Sequence, residues 1–158
     1  MLKTLRNLGA GQKAIIMPNY PHMLAEDRDI WSKFLQTNEY QIDRVWYDVH
    51  CGLGLPVPQG ATAMEYKIAQ GVTRKRIDVV CSVKNEIWVV EIKPYANMKA
   101  LGQIVTYKKL FIEEYIVMGK IVPVILCWTI DPDIVPIIKG FGVRVLYPIL
   151  AVRKTDIG

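Results

Sequence analysis

The spacing of apolar positions changes period along the chain, and the most informative change lies between residues 76 and 118. Ile77, Val79, Val80 and Val83 predict a strand, Lys84-Asn85 a polar turn, and Ile87 to Ile92 a second strand, so this segment reads as a β-hairpin. Pro94 ends it, and from Met98 to Met118 the apolar positions Leu101, Ile104, Val105, Leu110, Phe111 and Tyr115 recur at helical spacing, with Gly119 as the stop.

The flanks extend the pattern. Ile30, Trp31, Phe34 and Leu35 form an apolar stripe behind the acidic first turn Glu26, Asp27 and Asp29, which predicts a helix from Ala25 to about Asn38. Alternation over Tyr40 to His50 predicts a strand that contains Asp48. Gly52, Gly54, Pro56, Pro58 and Gly60 then impose an irregular loop, and Ala61 to Lys67 carries no period that assigns it. Downstream, the β-branched run Ile121 to Trp128 predicts a strand covered on both faces. Asp131-Pro132-Asp133 starts a short helix over Ile134 to Lys139, closed by Gly140, and Val143 to Tyr147 makes a last strand. Residues 1–24, with Lys3, Arg6, Gly9, Gly11, Lys13, Pro18 and Pro21, show punctuation without period and read as an N-terminal arm.

The predicted order is therefore αβββαβαβ, an α/β domain over 25–158 with a central mixed sheet flanked by helices. A chain of 158 residues suits one domain with its own core. A hydrophobic share of 51% with 22% charged residues excludes a mainly disordered chain. The charge balance, 20 Lys and Arg against 15 Asp and Glu, favours a polyanionic partner over an acidic surface. Cys51, Cys81 and Cys127 are scattered and lack metal-ligand spacing, which argues against zinc and a disulfide framework and for a reducing cytoplasm. His22 and His50 are the two histidines, and their separation does not suggest a ligand cluster. The apolar stretch Ile121 to Ile130 holds a proline and is shorter than the roughly 20 residues a bilayer crossing needs, and the N-terminus lacks the apolar run of a signal peptide.

Within the hairpin, Asp78 lies on the first strand, while Glu91 and Lys93, two apart on the second, share a face. Gln103 and Tyr107 share a helix face at i, i+4. Aspartate on one strand, Glu-x-Lys on the next and a following helix with Gln-x-x-x-Tyr resemble the core of the PD-(D/E)XK, or restriction-endonuclease-like, nuclease superfamily, with Ile77 where a proline often precedes the aspartate.

That resemblance implies phosphodiester hydrolysis with Mg²⁺ or Mn²⁺ held by Asp78, Glu91 and the Ile92 carbonyl, with Lys93 acting at the water and phosphate and with Gln103 and Tyr107 positioning them. It also implies an extra carboxylate from the first helix, Glu26 or Asp29. The plainer reading of Asp78, Glu91 and Lys93 is an ion-pair cluster across a hairpin, worth about 0–1 kcal/mol. Arg74, Lys75 and Arg76 either contact DNA phosphates or form a solvated run at a strand start.

Outside this core, Pro18-Asn19-Tyr20-Pro21, the Trp31-x-x-Phe34-Leu35 helix and Tyr47-Asp48-Val49 resemble small tailed-phage proteins of the same fold. This implies either a phage DNA nuclease in the host cytoplasm or a virion component, in the neck, head-completion or head-tail connector region, that reuses the fold. In the second case the partners are phage structural proteins, or other copies of the chain engaged through the arm.

Overall fold

The computed structural model describes residues 5–149. Lys3 of the arm and the last nine residues of the expected domain lie outside this range. In chain order the elements are β1 (Arg6–Asn7), α1 (Ala25–Thr37), β2 (Arg44–Cys51), α2 (Ala63–Thr73), β3 (Lys75–Val83), β4 (Glu86–Ala96), α3 (Met98–Glu114), β5 (Tyr115–Ile116), β6 (Lys120–Ile130), a 3₁₀ turn (Pro132–Ile134), α4 (Val135–Gly140) and β7 (Arg144–Leu146). The architecture is α/β, a mixed central sheet flanked by helices, as expected from the pattern.

Five strands in the order β2-β3-β4-β6-β7 make the sheet. β2, β3 and β4 run antiparallel as a meander, and β6 and β7 join parallel to β4. Parallel neighbours need a crossover, and α3 with the short β5 supplies the first while α4 supplies the second. Alternation along β4 divides the core. Ile87 and Val89 pack on the α3 side with Ile104, Tyr107 and Phe111. Trp88, Val90 and Ile92 pack on the α1 side with Ile30, Trp31 and Phe34. A strand apolar on both faces thus sits in the middle, with helices above and below.

Several elements differ from the sequence expectation, and β4, expected to stop at Pro94, runs through it to Ala96. Residues 63–73, where no element was assigned, form α2, started by a capping box in which the Thr62 hydroxyl accepts from Glu65 N at 3.1 Å and the Glu65 carboxylate accepts from Thr62 N at 2.8 Å. None of its residues is buried, so it carries no core-facing stripe that a period could reveal. The main helix ends at Glu114, four residues before Met118, because Tyr115 and Ile116 extend and pair parallel with Arg6 and Asn7. Tyr115 keeps an apolar contact by stacking on Phe111, which is why its spacing still read as helical.

The described part of the arm packs on its own chain. Gln12 bridges Val45 at the free edge of β2 through N–H···O bonds of 3.0 and 2.9 Å, and Tyr20 is buried on the α1 side. Gly11, at φ +66°, lies so close to the Trp46 ring that a Cβ there would stand 2.7 Å from it. The arm thereby covers an edge that would otherwise expose unpaired backbone groups.

Candidate functional site

The site forms where the ladder between β3 and β4 stops. The register runs from Val83↔Glu86 to Val79↔Val90. In place of the next ladder bond, the Asp78 side chain reaches across, and its Oδ2 accepts from Ile92 N at 2.9 Å. An extended residue directs its N–H and C=O to the same edge of the strand, so the Ile92 carbonyl also looks into the opening beside Asp78.

Glu91 is 3% exposed, the one charged residue in the core among the described residues. Its Oε1 lies 3.4 Å from Lys93 Nζ, and its Oε2 has no hydrogen-bond partner. The convergence of Glu91 and Lys93 follows from their two-residue separation, as the alternation argument requires.

From the helical side, Tyr107 is buried against this pair and Gln103 lies beside its hydroxyl, with Gln103 Oε1 also buried and unpartnered. Gln103 and Tyr107 therefore approach the same place as Asp78, Glu91 and Lys93.

The electrostatics record the cost of the arrangement. Burial, followed by the charge of Asp78, pushes the Glu91 carboxyl well above its ordinary range, and Lys93 opposes the shift only in part. Asp78 is also raised by burial, against the lowering effect of the Ile92 N–H. Tyr107 is pushed up to about 12 by burial and then by the two carboxylates. Two raised carboxyls, one with an orphaned buried oxygen, beside a single lysine make a place short of positive charge.

Asp27 is the α1 carboxylate that joins this field. It is raised first by burial and lowered by Lys93, and it raises both Asp78 and Glu91. Glu26 and Asp29, the two first-turn acids expected to play this part, are exposed, and Asp29 pairs with Arg28 at 3.5 Å. Only the docking of α1 decides among three neighbouring acids, so the sequence pattern could not.

On β2, Asp48 stands opposite Asp78, between the Tyr47↔Val79 and Val49↔Ile77 pairs. Alternation changes phase in both strands here. Tyr47 and Val79 pack on the α1 side, but Val49 and Ile77, two residues away, pack on the α3 side. Asp48 takes the change with φ +52°, a conformation that non-glycine side chains rarely adopt and that aspartate tolerates better than most.

Its carboxylate gathers His22 Nε2 at 3.6 Å, His50 Nε2 at 3.5 Å and Arg76 Nε at 3.7 Å. The two histidines, unconnected in the sequence reading, thus meet on one carboxylate.

The basic run divides. Arg74 turns inward, donating from Nε to the Gly52 carbonyl at 2.7 Å and pairing with Glu114, with 9% of its side chain exposed. These inward bonds and its burial run against the expectation that it contacts phosphate. Arg76 braces α2 through a 2.8 Å bond to the Gly71 carbonyl while remaining about one-third exposed, and Lys75 is exposed.

Among the described residues no three His, Cys, Asp or Glu side chains are placed to hold a metal ion together. The available donor set is instead two carboxylates and a main-chain oxygen, all hard oxygen ligands that suit Mg²⁺ or Mn²⁺ and leave room for water. The unpartnered Glu91 Oε2 is the observation that fits such a cation. The three cysteines are buried and unpaired, with Cys51 and Cys127 both pushed up to about 11 by burial, so they are poor thiolates. No helix among the described residues is long and apolar enough to cross a membrane.

No family model and no curated protein matches the chain. Among solved structures, it is similar to a repair endonuclease from Pyrococcus abyssi, at 17% identity and TM-score 0.51 over 84% of this chain and 50% of that one. It is also similar to a protein of unknown function, at 14% identity and TM-score 0.45 over 73% of this chain and 53% of the other. A Vibrio cholerae protein matches at 11% identity and TM-score 0.45, over 80% and 33%. The chain spans half the length of the endonuclease it matches. This likeness shows the fold, which is restriction-endonuclease-like.

Proposed function

We propose that the chain is a divalent-metal-dependent nuclease that hydrolyses phosphodiester bonds in DNA. The observation that carries this reading is the convergence of Asp78, Glu91 and Lys93, with Glu91 Oε2 buried and unpartnered. The structural Arg74–Glu114 pair also leaves Glu114 Oε2 buried and unpartnered, and what sets this cluster apart is the second carboxylate, Asp78, beside it. An exposed pair contributes about 0–1 kcal/mol, and a carboxylate buried with one oxygen unsatisfied costs more than that.

Asp78, Glu91 and the Ile92 carbonyl would hold Mg²⁺ or Mn²⁺, which when bound polarises the phosphoryl group and lowers the pKa of water. Lys93, 31% exposed, points its ammonium toward Glu91 from the solvent side, where it can orient the attacking water and offset negative charge gained by the phosphate oxygens. Gln103 and Tyr107 hold the inner wall. With its hydroxyl pushed up to about 12, Tyr107 stays protonated at neutral pH and acts as a hydrogen-bond donor. Arg76, beside Asp48, and the exposed Lys75 next to it in sequence offer contacts to neighbouring phosphates. Similarity in fold to a repair endonuclease is consistent with this chemistry.

The test is cleavage of supercoiled, linear and single-stranded DNA by the purified protein in Mg²⁺, in Mn²⁺ and in chelator, beside Lys93→Ala. The proposal expects cleavage with metal, none in chelator, and a loss of about 100-fold or more in the variant with DNA binding kept. Wild-type protein that cuts none of these forms in either metal removes the enzyme reading.

A further inference from the structure

Phosphodiester hydrolysis needs a proton for the departing oxygen, since an alkoxide is a poor leaving group, and none of the groups assigned above supplies one well. Lys93 is engaged with Glu91, Tyr107 is buried and pushed up to about 12, and Asp78 and Glu91 must be unprotonated to hold a cation. Next to them lies a group of side chains with no other evident task. Asp48 is opposite Asp78 in the sheet, and His50 lies two residues further along β2 with Nε2 3.5 Å from Asp48 Oδ2. Imidazole is the side chain whose ordinary pKa lies nearest neutrality, which suits it to giving up a proton there.

Resting on the nuclease reading, we propose that His50 is the general acid of the reaction and Asp48 its positioning residue. Asp48 faces Nε2 and fixes the orientation of the ring, which leaves Nδ1–H as the proton to be given. As the bond between the attacking water oxygen and phosphorus forms, that water releases a proton to solvent, and as the bond from phosphorus to the leaving oxygen breaks, the Nδ1 proton passes to that oxygen. The products are a phosphate monoester end and a free hydroxyl end, and neutral His50 regains its proton from solvent.

Three observations support this placement. The Asp48 backbone holds φ +52° inside a strand, a conformation that side chains rarely adopt and that persists where surrounding structure enforces it. That turn of the backbone accompanies the phase change of β2 and lets the carboxylate gather His22, His50 and Arg76. His50 is 30% exposed on a strand fixed by seven register pairs with β3, whereas His22, on the arm, is 63% exposed. Arg76, opposite His50 in the register and 3.7 Å from Asp48, is placed to hold the phosphate next to the ring.

The groups facing His50 are therefore Asp48 on its own strand, Arg76 on β3 and His22 on the arm, with Asp78 beyond Asp48. His50 also offers its carbonyl to the Tyr115 hydroxyl at 2.7 Å, a main-chain bond that substitution of the ring leaves intact.

The test compares two substrates in Mn²⁺, a DNA oligonucleotide and the p-nitrophenyl ester of thymidine 5′-phosphate, whose leaving group departs without a proton. His50→Ala and His50→Gln are expected to lose about 100-fold or more in kcat on DNA and to stay within about threefold of wild type on the activated ester. Asp48→Asn, which suits the same backbone conformation, is expected to show the same selective loss to a smaller degree. Equal losses on both substrates, or no loss on DNA, would overturn the proposal, and so would a selective loss confined to His22→Ala. Wild-type protein inactive on both substrates would sink the nuclease reading itself, a result distinct from these.

Discussion

Replacing Glu91 with Gln keeps the size and shape of the side chain and removes its charge, and the consequences follow from where Glu91 sits. The folded-state pKa values of Asp78 and Glu91 belong to the pair and are raised to about 6 and about 8, from ordinary values of 3.8 and 4.5. For a group raised on folding, the stabilising contribution is whole below the unfolded pKa and is lost as pH rises through the folded one. The metal-free wild type should therefore be most stable below about pH 4 with respect to these groups and weaken up to about pH 8. Each pKa unit is worth about 1.4 kcal/mol, so the two raised carboxyls together account for a loss of up to about 8 kcal/mol. In a domain of this size, each kcal/mol lowers the melting temperature by about 2–4 °C.

Glu91→Gln leaves Asp78 alone to titrate, at a lower pKa, so most of the decline between pH 6 and 8 should vanish. Metal should act the opposite way. A cation at one hundred times its Kd adds about 2.7 kcal/mol to the wild type at pH 8 and little to the variant. The assay is thermal unfolding by circular dichroism from pH 4.5 to 9, in chelator and in millimolar Mn²⁺. Parallel curves for the two proteins in chelator, or equal stabilisation by Mn²⁺, would refute the reasoning.

Other expectations follow from individual contacts. Lys93→Ala should melt within about 2 °C of wild type, since its ammonium is partly solvated, while losing cleavage by about 100-fold or more; a matching loss of stability would make its role structural. Arg74→Ala should destabilise by about 3–5 kcal/mol in chemical denaturation, because it strands Glu114 and the Gly52 carbonyl, and should leave the salt dependence of DNA binding unchanged. Lys75→Ala should instead keep stability and reduce the slope of log K against log salt by about one, measured by fluorescence anisotropy; an unchanged slope would remove Lys75 from the DNA contact. Gly11→Ala should loosen the arm, since its Cβ would meet the Trp46 ring at 2.7 Å, and hydrogen exchange at the Val45 amide reads this directly.

The hairpin and α3 were legible because burial on two faces and on one face, respectively, wrote clean periods into β4 and the helix. Asp78, Glu91, Lys93, Gln103 and Tyr107 could be read with them, since strand and helix geometry fixes which residues share a face. α2 was not legible, although Thr62 and Glu65 spell its capping box, because a helix that buries no residue leaves no stripe. Arg74 and Arg76 look alike in sequence. One faces inward because Glu114 lies on the end of α3, a contact 40 residues away. Asp48 and His50 escaped for another reason. Alternation assumes a constant phase, and a left-handed residue in the strand breaks it, so no period could bring His22, Asp48, His50 and Arg76 together.

The account rests on a cation held by Asp78, Glu91 and the Ile92 carbonyl, and anomalous diffraction from crystals soaked in Mn²⁺ tests this most directly. The prediction is a peak about 2.1 Å from oxygens of all three residues, lost in crystals of Glu91→Gln. Crystals that hold Mn²⁺ elsewhere, or none at saturating concentration, with the Asp78–Glu91 pair unchanged, would contradict it.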